Sequence, residues 1–129
     1  MSTAELFRYG MFTLHSGQRS DWLIDCAALS DSDLDALAYM VSSRVRYNRV
    51  EGVPRGGLRF AAALHRYRWQ TNNGSLLIVD DVLTTGTSME KQRAGREATG
   101  VVIFARGDCP AWVTALFQAS EVLEVRGEE

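Results

Sequence analysis

The sequence of 129 residues has only two prolines, two cysteines and no long apolar run. Cys26 and Cys109 form no CxxC pair and have no histidine at zinc-site spacing, so we expect reduced thiols and a cytoplasmic protein. No apolar stretch approaches the ~18 residues of a membrane span, and we recognise no signal peptide. The net charge of −2 gives no general attraction for nucleic acid or anionic membranes, so neither is predicted as a partner.

Motifs of several enzyme classes are also absent. The sequence has no Walker A motif and no GxGxxG, which argues against nucleotide hydrolysis and dinucleotide binding. It has no GxSxG and no Ser-His-Asp arrangement. With 46% hydrophobic and 23% charged residues, the chain has the composition of a globular protein with one core. We predict one domain over residues 1–129, with a small N-terminal hood (residues 1–28) and a core (residues 29–129).

The most informative stretch covers residues 76–88. Four apolar residues, Leu-Leu-Ile-Val, predict a buried strand, and Asp80 and Asp81 follow where that strand would end. Carboxylates accept hydrogen bonds from sugar hydroxyls and can hold Mg²⁺ directly or through water. An ordinary strand, turn and helix would not explain two adjacent acids at the end of a buried strand, where burial is unfavourable without partners.

A turn rich in small hydroxyl residues follows the acidic pair. Thr87 and Glu90 have the spacing of a capping box, which predicts that a helix begins at Thr87. Amide groups at a helix start and nearby hydroxyls can surround a phosphate, and Gly86 lets the backbone approach closely. The residues predicted to bind phosphate are Thr84, Thr85, Gly86, Thr87 and Ser88. Together with the acids, they fit a ribose 5-phosphate.

The remaining chain alternates between helix and strand patterns. We predict helices over residues 2–9, 31–46, 58–66, 87–98 and 111–118, and strands over residues 12–14, 22–26, 49–53, 76–79, 101–105 and 122–125. Residues 71–74 predict a turn. Continuous apolar strands between helices indicate an α/β protein, with a parallel sheet covered on both faces and ligands at the carboxyl ends of the strands.

Residues 78–88 closely resemble the phosphoribosyl-pyrophosphate (PRPP) motif of type I phosphoribosyltransferases. The resemblance implies a three-layer fold with a parallel sheet of four to five strands and a small N-terminal hood. It also implies that Asp80 and Asp81 hold the ribose and contribute to an Mg²⁺ site, while the hydroxyl-rich turn binds the 5-phosphate. Pro54, Arg55 and Gly56 resemble the family's pyrophosphate loop, in which Arg55 would stabilise the leaving group, although alone they could form a plain turn.

Residues 12–25 resemble the hood of orotate phosphoribosyltransferases, with His15 where those enzymes usually have lysine. That resemblance implies that His15, Trp22 and Arg106 face the base, with a solvated histidine and a solvated arginine as the alternatives. A homodimer is implied as well. The chain departs from these enzymes because only about a dozen residues separate Leu64 from Leu76, too few for the edge strand and closing loop that they carry there. Arg66 and Arg68 could partly replace the basic residues of that loop.

Three functions therefore remain open. The first is transfer of ribose 5-phosphate from PRPP to a pyrimidine-type base such as orotate, with Mg²⁺. The second is non-catalytic binding of PRPP or a nucleotide monophosphate, which the missing loop favours. The third is a flavodoxin-like domain that binds no phosphoribosyl ligand.

Overall fold

The computed structural model describes residues 5–14, 17–70 and 74–119. The strands are β1 (Phe7–Thr13), β2 (Arg19–Ile24), β3 (Arg49–Gly52), β4 (Leu76–Leu83), β5 (Thr99–Ala105) and β6 (Val113–Gln118). The α-helices are α1 (Asp31–Ser42), α2 (Leu58–His65) and α3 (Thr87–Arg93), and a short 3₁₀ helix spans Cys26–Ala28. No helix in the described part of the chain is long and apolar enough to cross a membrane.

Two sheets organise these elements. β3, β4, β5 and β6 form a parallel sheet in that order, and β1 and β2 form a separate antiparallel hairpin at the N-terminus. The predicted α/β fold with a parallel sheet and a small N-terminal hood is therefore confirmed. β3 lies at one edge, and the described residues between α2 and β4 form no further strand beside it.

Hydrophobic residues alternate between the two faces of β4 and build a core on each. Leu77 and Val79 pack in one cluster with Ala38 of α1 and Phe60 of α2. Leu76 and Ile78 belong to a second cluster that contains Met89 of α3. Because successive strand residues point to opposite faces, this apolar run serves both cores, and the helices form outer layers on both sides of the sheet.

The N-terminal helix predicted over residues 2–9 is wrong in its described part, residues 5–9. Phe7 begins strand β1, which pairs with β2 from Phe7 opposite Ile24 to Thr13 opposite Arg19. Phe7 also packs against the rings of Trp22 and Phe104. The helical pattern was overridden because pairing with β2 and these aromatic contacts involve residues distant in sequence, which local propensity does not register.

The predicted helix over residues 111–118 is also wrong, because Val113–Gln118 forms strand β6. A turn in which the Val113 amide donates to the Pro110 carbonyl starts the strand, at 3.0 Å. Gly100 then pairs with Val113 and Phe104 with Phe117 along β5. The strand hydrogen-bonds to backbone groups of β5 that a helix would leave unpaired. β-Branched and aromatic residues also favour a strand at that position.

Helix α3 begins at Thr87, as predicted, but it is shorter than predicted and is capped differently. It ends at Arg93 because Ala94 and Gly95 both adopt positive φ, at 53° and 76°, instead of continuing to residue 98. Gly86, with φ of 88°, is the N-cap and makes no side-chain capping bond, so the predicted Thr87–Glu90 capping box does not form. A glycine suits Gly86 because left-handed backbone strains other residues.

The other elements agree with the sequence to within a few residues. Ser30 and Asp33 form the reciprocal capping box expected at the start of α1, which ends at Ser42, four residues before the predicted end. β4 is longer than predicted and continues to Leu83, so the acidic pair lies inside the strand. The predicted strand at 122–125 and residues 71–73 of the predicted turn lie outside the described residues.

Candidate active site

A cleft of about 600 Å³ lies at the carboxyl end of the parallel sheet. It is lined by the end of β4, the turn before α3, the loop after β3 and part of the hood. The lining residues are Thr13, Leu14, Leu23, Ile24, Val53, Pro54, Gly56, Asp80, Asp81, Val82, Leu83, Thr84, Thr85, Gly86, Thr87, Ser88, Met89, Lys91 and Arg106. The fold thus brings the two sequence motifs and the hood to one cavity.

Asp80 and Asp81 form the acidic centre of this cleft. Asp80 is 8% exposed, and its Oδ1 accepts a hydrogen bond from the Asp81 amide at 2.8 Å. Asp81 Oδ1 accepts one from the Val82 amide at 2.7 Å. The ion pairs among residues 5–14, 17–70 and 74–119 do not include either acid. Both carboxylates therefore keep acceptor positions for sugar hydroxyls.

Burial, with the negative charge of Asp81 as the next cause, raises the pKa of the Asp80 carboxyl to about 8. Cys26 is close by. Burial raises the pKa of its thiol to about 12, with Asp81 as the next cause. In the unliganded protein the site consequently favours one shared proton over two full negative charges and keeps the neighbouring thiol neutral.

Stability should fall as pH rises across this titration. The folded-state pKa of Asp80 lies above the ordinary value of 3.8, so between about pH 4 and pH 8 the folded protein retains a proton that the unfolded chain releases. We expect the wild type to lose a few kcal/mol of unfolding free energy over this range, of order 1.4 kcal/mol for each unit of pKa difference. The Asp80→Asn variant should lack this slope. Urea unfolding of both proteins at pH 5 and pH 8 measures it, and equal slopes would contradict the assignment.

The loop after β3 packs directly against the acidic pair. A Cβ atom added to Gly56 would lie 2.7 Å from Asp81 Cγ and 2.8 Å from Asp81 Oδ1. The Pro54–Arg55 peptide bond in this loop is cis. Pro54 and Gly56 line the cleft, whereas Arg55 is exposed and is not among the residues lining it. The structure therefore places the loop backbone at the site and the guanidinium outside its wall.

The hydroxyl-rich turn forms the other wall. Thr85 Oγ1 lies 3.0 Å from Thr87 Oγ1 and accepts a longer bond from the Thr87 amide at 3.4 Å. Gly107 supports the turn from behind, because a Cβ there would lie 2.6 Å from the Thr84 carbonyl oxygen. All five residues predicted to bind the 5-phosphate, Thr84 to Ser88, line the cleft together. Their role as phosphate ligands stays a prediction.

Arg106 joins the hood to the sheet. Its guanidinium lies 3.5 Å from the centre of the Trp22 ring, and it donates to the Trp22 carbonyl at 3.1 Å and to Ser20 Oγ at 2.9 Å. A second cleft of about 830 Å³ borders this contact, with Arg19 in its wall, and shares Thr84 and Arg106 with the first cleft. Trp22 and Arg106, both predicted to face a base, therefore meet at this second cleft.

Replacing Arg106 should loosen the hood. We expect Arg106→Gln to lose the ring contact and the paired bonds, worth about 2 kcal/mol, so that β1 and β2 amides exchange faster by about thirtyfold. Hydrogen exchange read by mass spectrometry measures this effect. Arg8→Gln is the matched control, because Arg8 makes an exposed ion pair with Asp25 inside the hood and its loss should change exchange little.

Several predicted or suggested residues lie elsewhere. His15 is outside the described residues. Arg66 bonds Asp35, and Arg68 donates to the His65 carbonyl. Neither arginine lines either cleft, so they do not supply the basic groups of a closing loop in this structure.

Sequence reasoning missed Lys91, which lines the first cleft. Its position four residues after Thr87, on the same helix face, was the available signal.

The acid pair suits a magnesium ion bound mainly through substrate and water. No group of three or more His, Cys, Asp or Glu residues that could hold a metal occurs within the described ranges. Mg²⁺ commonly binds one or two carboxylates together with substrate phosphates and waters, so Asp80 and Asp81 fit a substrate-borne ion better than a resident one.

Comparison with known proteins adds independent support for the fold. A scan of protein-family models and a search of curated proteins give no match to this sequence. Among solved structures, orotate phosphoribosyltransferase from Aeropyrum pernix is similar at 26% identity and a TM-score of 0.68, covering 96% of this chain and 94% of that one.

Two further structures show the same fold. UMP synthase from Leishmania donovani matches at 21% identity and a TM-score of 0.67, covering 88% of this chain and 33% of that chain. Orotate phosphoribosyltransferase from Mycobacterium tuberculosis H37Rv matches at 17% identity and a TM-score of 0.59, covering 85% of this chain and 86% of that one. The resemblance drawn from the motifs is thereby confirmed: the chain has the fold of the type I phosphoribosyltransferases, and orotate phosphoribosyltransferases are among the solved structures that share it.

Proposed function

We propose that this protein transfers ribose 5-phosphate from PRPP to a ring nitrogen of a pyrimidine-type base such as orotate, and releases pyrophosphate. The observation that carries the proposal is the convergence of three parts on one cleft. Asp80 and Asp81, the Thr84–Ser88 turn and the loop at Gly56 all line it. Their chemistry matches a ligand with hydroxyls in the middle, a monophosphate at one end and a diphosphate at the other.

In the proposed reaction, the base nitrogen gives up its proton to water and forms a bond to C1 of the ribose, while the bond from C1 to the pyrophosphate oxygen breaks and its electron pair leaves with the pyrophosphate. Asp80 and Asp81 would orient the ring through its hydroxyls, and the turn would anchor the 5-phosphate, so C1 is held for attack. Magnesium, when bound with PRPP, would neutralise charge on the departing pyrophosphate. Trp22 of the hood and Arg106 after β5 would border the base, with the second cleft as its entrance.

The size of the chain does not by itself argue against catalysis. The Aeropyrum pernix structure and this chain match over nearly the whole length of each, so a protein described as an orotate phosphoribosyltransferase has a similar extent. The resemblance also motivates the proposed homodimer. The alternative function, binding of PRPP or a nucleotide monophosphate without turnover, is favoured by the short connection from His65 to Leu76 and by the exposed Arg55.

A pyrophosphate-release assay over a panel of bases, with PRPP and Mg²⁺, tests the proposal. We expect release with orotate or a related pyrimidine, and a loss of at least about a thousandfold in the Asp80→Asn/Asp81→Asn double variant, since two charged contacts to the sugar disappear. Isothermal titration with PRPP separates the alternatives. Binding of PRPP without pyrophosphate release in the presence of any base would support the non-catalytic function. Retained turnover in the double variant would refute the proposed contacts of Asp80 and Asp81 with the ribose.

A further inference from the structure

Lys91 is the only lysine in the sequence, and it lines the cleft that contains Asp80 and Asp81. It lies in α3, one helical turn beyond Thr87. No motif assigned it a role. Since the residue lies in the wall of the proposed PRPP site, the inference drawn from it rests on the proposed function.

The charges around the cleft make Lys91 distinctive. The lining residues include two acids and two cations, Lys91 and Arg106. Arg106 is already engaged with the hood through Trp22 and Ser20. The ion pairs among the described residues do not include Lys91, and Lys91 is exposed to solvent. Its ammonium is therefore the lining cation that remains available to a bound anion.

Contacts of the next residues place this turn of α3 beside β3. Gln92 donates to Glu51 Oε1 at 3.0 Å, and Arg96 makes a bidentate contact with the same carboxylate at 2.7 and 2.9 Å. Glu51 belongs to β3, whose chain continues directly into Val53 and Pro54 of the cleft wall. Helix α3, which contributes Lys91 to the cleft, is thus joined to the strand that leads into Val53 and Pro54 of the same cleft.

We propose that Lys91 binds the diphosphate group of PRPP and stabilises the pyrophosphate as it leaves. The monophosphate end of the cleft has the hydroxyls and amides of the Thr84–Ser88 turn. The diphosphate carries more negative charge than the monophosphate, and the cleft also contains two carboxylates, so the diphosphate needs a cation most. As the bond from C1 to oxygen breaks, the electron pair stays on the pyrophosphate oxygen, and a nearby ammonium stabilises the added charge.

Because there is one lysine, its response to each half of the substrate can be observed directly. Reductive ¹³C-methylation preserves the positive charge and labels Lys91 and the α-amino group, and Lys91→Gln identifies which NMR signal is Lys91. We expect magnesium pyrophosphate to shift the Lys91 signal and ribose 5-phosphate to leave it nearly unchanged. No shift with pyrophosphate, or equal shifts with both probes, would overturn the proposal.

Binding of the same two probes by variants provides the second measurement. Lys91→Gln should weaken the affinity for magnesium pyrophosphate by about tenfold, or 1.4 kcal/mol. It should weaken the affinity for ribose 5-phosphate by less than about twofold. Lys91→Arg should restore most of the pyrophosphate affinity, because it keeps the charge. Arg44→Gln, which removes an exposed cation just after α1, is the control and should change neither affinity. A Lys91→Gln variant with wild-type pyrophosphate affinity would also overturn the proposal.

Failure of the proposed function would give a different pattern. If the protein is not a phosphoribosyl-binding protein, wild type will bind neither PRPP nor ribose 5-phosphate, and both proposals fall together. If wild type binds PRPP and Lys91→Gln binds it equally well, only the role of Lys91 is refuted.

Discussion

Gly56→Ala should reduce PRPP affinity by about 10- to 100-fold while leaving the fold intact. The added methyl would lie 2.7 Å from Asp81 Cγ, so the carboxylate must turn away from its position in the cleft. The lost interaction is the hydrogen bond from a sugar hydroxyl to the Asp81 carboxylate. A hydrogen bond to a charged group is worth about 1.5–3 kcal/mol, which corresponds to the expected 10- to 100-fold loss of affinity. The obstruction is a side chain that can rotate, so the free energy of unfolding should change by less than about 1 kcal/mol.

Calorimetric titration with PRPP and Mg²⁺, together with urea unfolding, measures both parts of this prediction. A double-mutant cycle with Asp81→Ala supplies the control. If the methyl acts by displacing Asp81, adding Gly56→Ala to Asp81→Ala will cause little further loss. Additive losses would show that Gly56 acts through some other contact, and unchanged affinity in the single variant would refute the proposed role of Asp81.

Gly57→Ala, one residue along the chain, should instead lower the free energy of unfolding by about 3 kcal/mol. A Cβ there would lie 2.6 Å from the Val79 carbonyl oxygen and 2.8 Å from the Val53 amide nitrogen. Both are backbone atoms, and the Val53 amide itself bonds to the Val79 carbonyl at 2.8 Å. A rotamer change cannot accommodate the methyl, so α2 must shift away from β4. This overpacking lowers the free energy of unfolding by the full expected amount.

The backbone conformation of Gly57 separates this effect from ordinary glycine strain. Its φ and ψ of −82° and −7° are accessible to alanine, so the loss comes from close approach alone. Thermal melting should show a decrease in Tm of about 10 °C for a protein of this size. Gly56→Ala is the matched control, since it adds the same methyl one position earlier. Equal Tm values for the two variants would contradict the packing described here.

The elements that sequence reasoning predicted well are those in which local pattern and tertiary role agree. Residues 31–46 have a helical apolar period and a capping box at Ser30, and α1 forms there. The apolar run from Leu76 predicts β4 because a strand buried on both faces needs apolar residues at every position. The acid pair and the hydroxyl-rich turn were identifiable because they are contiguous in sequence.

The errors occur where a distant segment decides the local structure. Val113 and Phe117 have a helix-compatible pattern, yet they form β6 because β5 offers an open edge. Phe7 and Tyr9 form β1 because β2 pairs with them. Neither partner can be inferred from the segment itself, since a short apolar stretch fits either a helix or a strand.

By itself, the sequence determined the parallel α/β core and the order of strand, acids, turn and helix in residues 76–93, because each depends on neighbours along the chain. Only the tertiary structure decided that Gly56 packs against Asp81, that Arg106 stacks on Trp22 and that Lys91 lines the cleft. These contacts join residues up to 84 positions apart. Their geometry arises from the packing of sheet, helices and hood, which no local pattern encodes.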